Sequence, residues 1–371
     1  MVIYWLLLAA SIGIGIPLCK VKHGKLIYCI VFGVALFLVA ALRYDVGYDY
    51  NLYASWYFDV QSHTIDELAL YKQEKGFLIP MKLLTYISID YQAMFVVLAL
   101  IFAVVIMTYI YFNAEKPYLS VFCFLSFGLF FNSMNFMRQM IAAFIVLYAL
   151  KYIKNKEPLR FFILILFAAC FHVSVLIMVV FYFLLQIKMN WITLGVYSGL
   201  MVLFFLFSTD ILKIITKYVY KGYNPDSNIE VILGMKPIYA VFFGIFFLAA
   251  FLLRKPLVEK DPFNNVLINC MFFTFMFECI GIKHGILARF VILFFIPAVV
   301  ILIPQVVLMI VEKCEQKFKD RKKSLLLSKT VAVTLFFAIC AGMYGYMIIN
   351  NYNGVYPYQT IFERVDSNGE E

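Results

Sequence analysis

The sequence predicts an all-α, polytopic membrane protein of about twelve transmembrane helices (about 11–13), with a short helix hairpin near residues 159–187. Three observations predict it. Of 371 residues, 64% are hydrophobic and 14% charged, and the mean hydropathy is +0.90; a soluble domain is roughly 45–50% apolar and about 25% charged. Apolar runs recur at about the 17–25 residues that a helix needs to cross a bilayer. The basic residues gather in short loops between those runs, as membrane topology requires. That placement accounts for the net charge of +9 and leaves no case for nucleic acid as a partner. One membrane domain over 1–349 is expected, followed by a polar tail over 350–371, flexible at its end.

Taken in order, the first run, 2–19, lacks the basic leader of a signal peptide and reads as a retained helix with its start outside. A second run covers 26–42, and a long outer loop follows over 43–91. Within it, 76–89 (GFLIPMKLLTYISI) is short and carries Pro80 and Lys82, so it reads as interfacial or re-entrant. Next is 92–112. The stretch 118–152 is too long for one span and is interrupted by Asn132-Ser133-Met134-Asn135, which reads as two helices turning there. Further runs cover 191–208, 237–253, 263–282, 287–311 and 329–349, with a second outer loop over 208–236 that includes the turn-rich KGYNPDSN.

Charge bias decides the ambiguous stretch 159–187. If it is a hairpin turning near Phe171-His172, the loops KVKHGK, KYIKNKEPLR, RKPLVEKD and EKCEQKFKDRKKS all fall on one side. With Lys116, Lys188 and Lys329 they hold most of the 31 Lys and Arg. A single crossing would set KFKDRKK opposite KYIKNK. The positive-inside rule selects the hairpin.

That layout places a set of polar groups at the outer face: Arg43, Asp45, Asp49, Glu74, Arg138 with Gln139, His172, Glu278, Lys283, His284 and Arg289. An ionisable group at membrane depth costs about 2.5–3.5 kcal/mol on insertion scales, so each needs a reason. Arg138 opens an apolar helix directly after NSMNF. It is either a snorkelling residue at the boundary or an anion clamp, since guanidinium is a planar fork suited to phosphate. Arg289 reads as about one turn into a long apolar span, where snorkelling is less comfortable. Arg43 has Asp45 two residues on as a simple partner. His172 and His284 each admit a structural hydrogen-bonding role beside a chemical one. The segment RYDVGYDYNLYASWYFDV (43–60) suits both an interfacial aromatic belt and stacking on sugar faces. The eight cysteines show no CxxC or metal-ligand spacing, and no Walker A, nucleophile elbow, HExxH or GxGxxG motif occurs, so no metal and no cofactor is expected.

The ordered segments RYDVGYDYNLY (43–53), EKGF (74–77), NFMRQMIAAFIVLYALKYIKNK (135–156), FAACFHVSVLI (167–177) and ARFVILFFIPAV (288–299) resemble the EpsG family of Wzy-like exopolysaccharide and capsule polymerases. The resemblance implies a metal-independent glycosyltransferase. It would join oligosaccharide repeat units carried on undecaprenyl diphosphate at the outer face of the bacterial cytoplasmic membrane. It implies Arg138 and Arg289 as the leading clamp residues, with Arg43 supporting. His172 is then the first choice for the base, with Asp49 or Glu74 next. Asp45, Tyr50, Asn135, Gln139 and His284 complete the expected substrate-binding set. The implied partners are the lipid-linked oligosaccharide, membrane lipid, a chain-length regulator and a flippase. A flippase or transporter of the same lipid, an O-antigen ligase and a membrane sugar acyltransferase stand as alternatives.

Overall fold

In the computed structural model of the protein the described residues are 1–218, 236–317 and 322–364. Among them the regular elements are helical, with one isolated antiparallel bridge between Arg43 and Thr360. Six helices are long and apolar enough to cross a bilayer, or up to eight if each of two bent pairs is one span. Shorter apolar helices cover Val2–Leu18, Pro158–Ala169 and Val173–Leu184. The expected all-helical membrane architecture is therefore present, with fewer full-length spans among the described residues than the twelve expected.

The chain packs as two compact units. The first holds residues 1–152, 158–176 and 333–371; the second holds 153–157 and 177–332. In the first, α1 (Val2–Gly13), α2 (Gly15–Leu18) and α3 (Gly24–Ala41) lead to the outer segment. That segment carries α4 (Tyr50–Ser62), α5 (Ile65–Leu68) and α6 (Lys75–Thr85), before α7 (Gln92–Asn113). Both faces of α7 are apolar: Phe95, Leu98 and Phe102 are buried, while Val97, Leu100 and Val104 face outward. An all-round apolar helix is what a lipid solvent permits and water does not. The 11 residues of α6 are too few to span, and Lys82 donates to the Gln61 carbonyl at 2.9 Å.

Residues 118–152, expected as two helices turning at Asn132 to Asn135, form three: the polar run is itself helical, buried in the short middle helix, and the breaks fall on either side of that helix. Gly128, at φ +74°, separates α8 (Pro117–Ser126) from α9 (Leu129–Asn135) with a 59° bend. Phe136 then separates α9 from α10 (Met137–Lys154), whose last two residues belong to the second unit. The stretch 159–187 is interrupted where expected. Helix α11 (Pro158–Ala169) ends, Cys170 to His172 make the turn, and a 3-10 stretch follows over Val173–Ile177.

Residues 350–364, expected as part of a flexible tail, are tied down. The Tyr44 N–H donates to the Gln359 carbonyl and the Ile361 N–H to that of Leu42. Asn132 Oδ1 accepts from Tyr352 and Asn353 at 3.1 and 2.7 Å. Tyr4 donates to the Val355 carbonyl at 2.8 Å, so the start of α1 and residues 350–355 meet at the end that carries residues 43–49. The end of the tail, 365–371, lies outside the described residues.

In the second unit are α12 (Met178–Leu184), α13 (Trp191–Tyr218), α14 (Pro237–Leu252), α15 (Arg254–Lys260), α16 (Asn264–Gly281), α17 (Gly285–Ala288), α18 (Val291–Pro297) and α19 (Ile303–Lys317). Helix α16 is central, with 83% of its apolar window buried against 17% for α13. A π turn over Ala298–Leu302 links α18 to α19. The last helix, α20 (Lys322–Ile349), begins in this unit and enters the first at Val333. Helix α13 runs ten residues past Ser208, where the second outer loop was expected to start. The rest of that loop, including KGYNPDSN, and residues 318–321 of the basic loop lie outside the described residues.

Candidate active site around Arg138, Glu74 and His172

The site is built on the break at Phe136. Where α9 stops, its last carbonyls lose their helical partners, and where α10 starts, its first N–H groups have none. Arg43 fills the first need: its guanidinium donates to the Met134 carbonyl and, at 3.1 Å, to that of Val46. It lies 5.0 Å from the Phe95 ring centroid and 5.7 Å from that of Tyr50. At 2% exposure Arg43 is an internal bracket. Burial lowers its pKa to about 10, which leaves it charged at neutral pH. Gly47 makes this packing possible, because its φ of +109° suits glycine and a Cβ there would lie 3.0 Å from Asn135 Oδ1. Asn135 Oδ1 in turn accepts the Asp49 N–H at 3.3 Å, at the start of α4. Asp45, also at positive φ (+50°), is exposed and accepts from Asn51 at 2.7 Å.

The second need is met by Tyr53, whose hydroxyl accepts the Arg138 N–H at 3.4 Å. Tyr50, Tyr53 and Tyr57 recur at helical spacing and are all buried on α4. Tyr50 donates to Gln92 at 2.9 Å and stacks on Phe95 at 4.3 Å, so its hydroxyl is spent in the core. Trp56, on the same helix, lies 4.8 Å below the Arg138 guanidinium, a cation–π placement that fixes the fork.

Arg138 then meets Glu74. Its Nη1 donates to Oε2 of Glu74 in a short ion pair. The other carboxylate oxygen, Oε1, accepts the Val173 N–H at 3.2 Å and lies 3.3 Å from Nδ1 of His172, too poorly aligned for a formed hydrogen bond. One carboxylate thus joins α10 to the turn after α11. Burial by itself raises the Glu74 carboxyl, but His172 and then Arg138 outweigh it and bring the pKa down to about 2. Gly76 holds the turn against α6: its N–H donates to the Cys170 carbonyl at 2.9 Å, and a Cβ there would stand 2.5 Å from that oxygen.

Of the expected residues, the structure brings Arg138, Glu74 and His172 into direct contact, with Asn135 and Asp49 joined to the same break. Gln139 is buried beside Arg138 on α10. Arg43 and Tyr50 support the break from behind. Arg289 and His284 belong to the second unit. Arg289 does not sit within a continuous helix: it is exposed at a turn between the single-turn α17 and α18. His284 is buried, 3.0 Å from the Thr209 hydroxyl. Glu278 is buried on α16.

Residues that sequence reasoning passed over are Tyr53, Trp56, Gly47, Gly76 and Ser174. Four of them stand inside the quoted motifs, as the last tyrosine of RYDVGYDYNLY, the glycines of YDVGYDY and EKGF and the serine of FHVS, and Trp56 lies three residues beyond the first of these. A half-buried guanidinium paired with a carboxylate, and an imidazole beside it, can bind an anionic group and move a proton next to it. No curated protein and no solved structure matches the chain. The EpsG family model matches residues 26–360, a span that takes in every motif segment of this site, and the chain therefore belongs to the EpsG family.

Proposed function

We propose that the protein is a metal-independent glycosyltransferase that polymerises lipid-linked oligosaccharide repeat units into exopolysaccharide or capsule. The observation that carries this reading is the Glu74 carboxylate joining Arg138 to the His172 turn, in a member of the EpsG family. The donor is a growing chain on undecaprenyl diphosphate, and the site faces outward from the cytoplasmic membrane in a layout of about twelve crossings. In the reaction, a hydroxyl oxygen of the incoming unit bonds to the anomeric carbon of the growing chain. The bond from that carbon to the diphosphate breaks, and its electron pair leaves with the lipid diphosphate. The hydroxyl proton passes to His172.

Negative charge grows on the leaving diphosphate, so a positioned guanidinium is the main catalytic demand. Arg138 supplies it, and the family resemblance adds Arg289 as a further candidate for binding the diphosphate. Tyr53 and Trp56 set the height and plane of the Arg138 fork. The partners are the lipid-linked oligosaccharide, a flippase that delivers it and a chain-length regulator.

Deletion of the gene, with analysis of the lipid-linked sugars, tests the reading. Single repeat units are expected to accumulate on undecaprenyl diphosphate with no long polymer. Normal polymer length overturns it. Repeat units trapped in the inner leaflet would identify a flippase instead, and loss of acyl groups at unchanged length an acyltransferase.

A further inference from the structure

Buried polar atoms nearly always have a hydrogen-bond partner, and clustered exceptions mark a place where something else supplies one. Among the described residues, three such atoms belong to residues that contact the Glu74 carboxylate or adjoin one that does. They are Arg138 Nε, His172 Nδ1 and Ser174 Oγ, each buried and without a hydrogen bond. Arg138 and Val173 are the two residues that donate to that carboxylate, and His172 and Ser174 flank Val173 in the chain. The same few residues therefore present donors in use and donors to spare.

The donors in use are a guanidinium N–H and a backbone N–H, directed at the two oxygens of one anion. Phosphate oxygens take the same donors with the same geometry. A carboxylate has two oxygens and leaves the spare donors idle. A diphosphate carries more oxygens and more charge and can engage them all. Carboxylate and diphosphate are like-charged and cannot share the guanidinium at contact distance. The Glu74 side chain is 17% exposed, so it has a way out.

We propose that the seat of the Glu74 carboxylate is the diphosphate-binding site, with the carboxylate as a displaceable stand-in for the substrate's phosphate oxygens. On binding, diphosphate oxygens take over Arg138 Nη1 and the Val173 N–H. Arg138 Nε and the Ser174 hydroxyl add further donors, and Glu74 turns toward solvent. This rests on the polymerase reading above for the identity of the ligand, and adds Ser174 and Val173 as binding residues.

The test measures binding of inorganic pyrophosphate to the full chain in nanodiscs of zwitterionic lipid. Glu74→Gln, which keeps the shape and removes the competing charge, is expected to bind pyrophosphate at least fivefold more tightly than the wild type. Ser174→Ala is expected to bind several-fold more weakly, and Arg138→Ala to lose binding. Asp66→Asn removes an equal charge from an exposed position of the same outer segment and is expected to stay within twofold of wild type.

Equal tightening by Asp66→Asn and Glu74→Gln would mean a general field effect and overturn the seat. Unchanged or weaker binding by Glu74→Gln, with Arg138→Ala still abolishing it, overturns the seat and leaves the clamp reading intact. Absence of pyrophosphate binding in wild type and Glu74→Gln alike removes both. A Glu74→Gln effect seen with phosphatidylglycerol in the disc but not with pyrophosphate assigns the seat to a lipid headgroup and also overturns the proposal.

Discussion

Gly76→Ala tests whether the geometry of the turn, rather than its residue types, sets the site. Glycine 76 lies in the first turn of α6, and an added Cβ would sit 2.5 Å from the Cys170 oxygen and 2.7 Å from its carbon. Both are backbone atoms, so no side chain can swing away to make room. Restoring ordinary contact at about 3.4 Å moves the turn by about 0.9 Å. The Gly76 N–H bond to Cys170, now 2.9 Å, is then stretched beyond hydrogen-bond distance, and the 3.2 Å bond from Val173 to Glu74 lengthens with it.

Overpacking costs about 1–3 kcal/mol and the lost hydrogen bond about 1 kcal/mol, so a destabilisation of about 2–4 kcal/mol is expected. A misplacement near 1 Å costs on the order of 10²-fold in rate. The assays are thermal unfolding of the purified chain in detergent, and polymer formation from lipid-linked repeat units in membranes of a deletion strain. Gly342→Ala is the control, since nothing lies within 4 Å of a Cβ there and alanine is favoured by about 1 kcal/mol inside a helix. Wild-type melting together with wild-type polymer in Gly76→Ala would refute the argument that α6 positions the turn.

Arg138→Ala and Arg289→Ala are expected to lower polymer formation by about 10²–10³-fold while the protein stays inserted. Arg138→Lys should recover little, because the ammonium has no fork and no planar face for Trp56; wild-type polymer from both alanine variants removes the clamp. The Glu74 carboxyl falls from its ordinary 4.5 to about 2 on folding. Its contribution is therefore complete above about pH 4.5 and is lost as pH falls through about 2, at most about 3 kcal/mol. Acid titration of the melting temperature should show a loss in that window, absent in Glu74→Gln; an unchanged acid limb in the variant counts against the pairing. Arg43→Met strands the Met134 and Val46 carbonyls and should destabilise by on the order of 3–5 kcal/mol, read as thermal unfolding; a wild-type melting curve would show that the bracket carries no weight.

The two interruptions of the long apolar stretches were legible because they are local. The polar run Asn132 to Asn135 marks the neighbourhood of the breaks, although its residues are themselves helical and buried in α9, with the breaks at Gly128 and Phe136. The motif segments also point to the right neighbourhood. The difference between Arg43 and Arg138 was not legible. Both arginines adjoin an apolar run and polar motif residues, and what separates them is whether carbonyls or a carboxylate lie within reach, which tertiary packing decides. Glu74 is 64 residues from Arg138 and 99 from Val173, beyond any periodic signal. Residues 350–364 looked free because their anchors, backbone bonds to residues 42–48 and side-chain bonds to Asn132, lie more than 200 positions away, and a composition of Asn, Tyr and Gly does not announce them. The break at Arg289 escaped notice because the surrounding residues stay apolar straight through the turn.

The contrast between the two arginines bears on why one of them can act. Arg43 gives its N–H groups to neutral carbonyls that belong to the backbone; those acceptors cannot leave, and the residue is sealed at 2% exposure. Arg138 gives its N–H to a side-chain carboxylate at the edge of solvent, an acceptor that can rotate away. A guanidinium at the membrane boundary must be compensated when the site is empty, yet an acceptor bound permanently would exclude a phosphate. A single movable carboxylate meets both conditions. The exchange is orderly only if Arg138 stays put when Glu74 departs, and two contacts independent of the carboxylate hold it there: the Tyr53 hydroxyl on its N–H and the Trp56 ring under its fork. The buried face of α4 is therefore part of the site although it offers the ligand nothing directly, and this accounts for the aromatic density of residues 50–57 better than a membrane belt does, since Tyr50, Tyr53 and Tyr57 point inward.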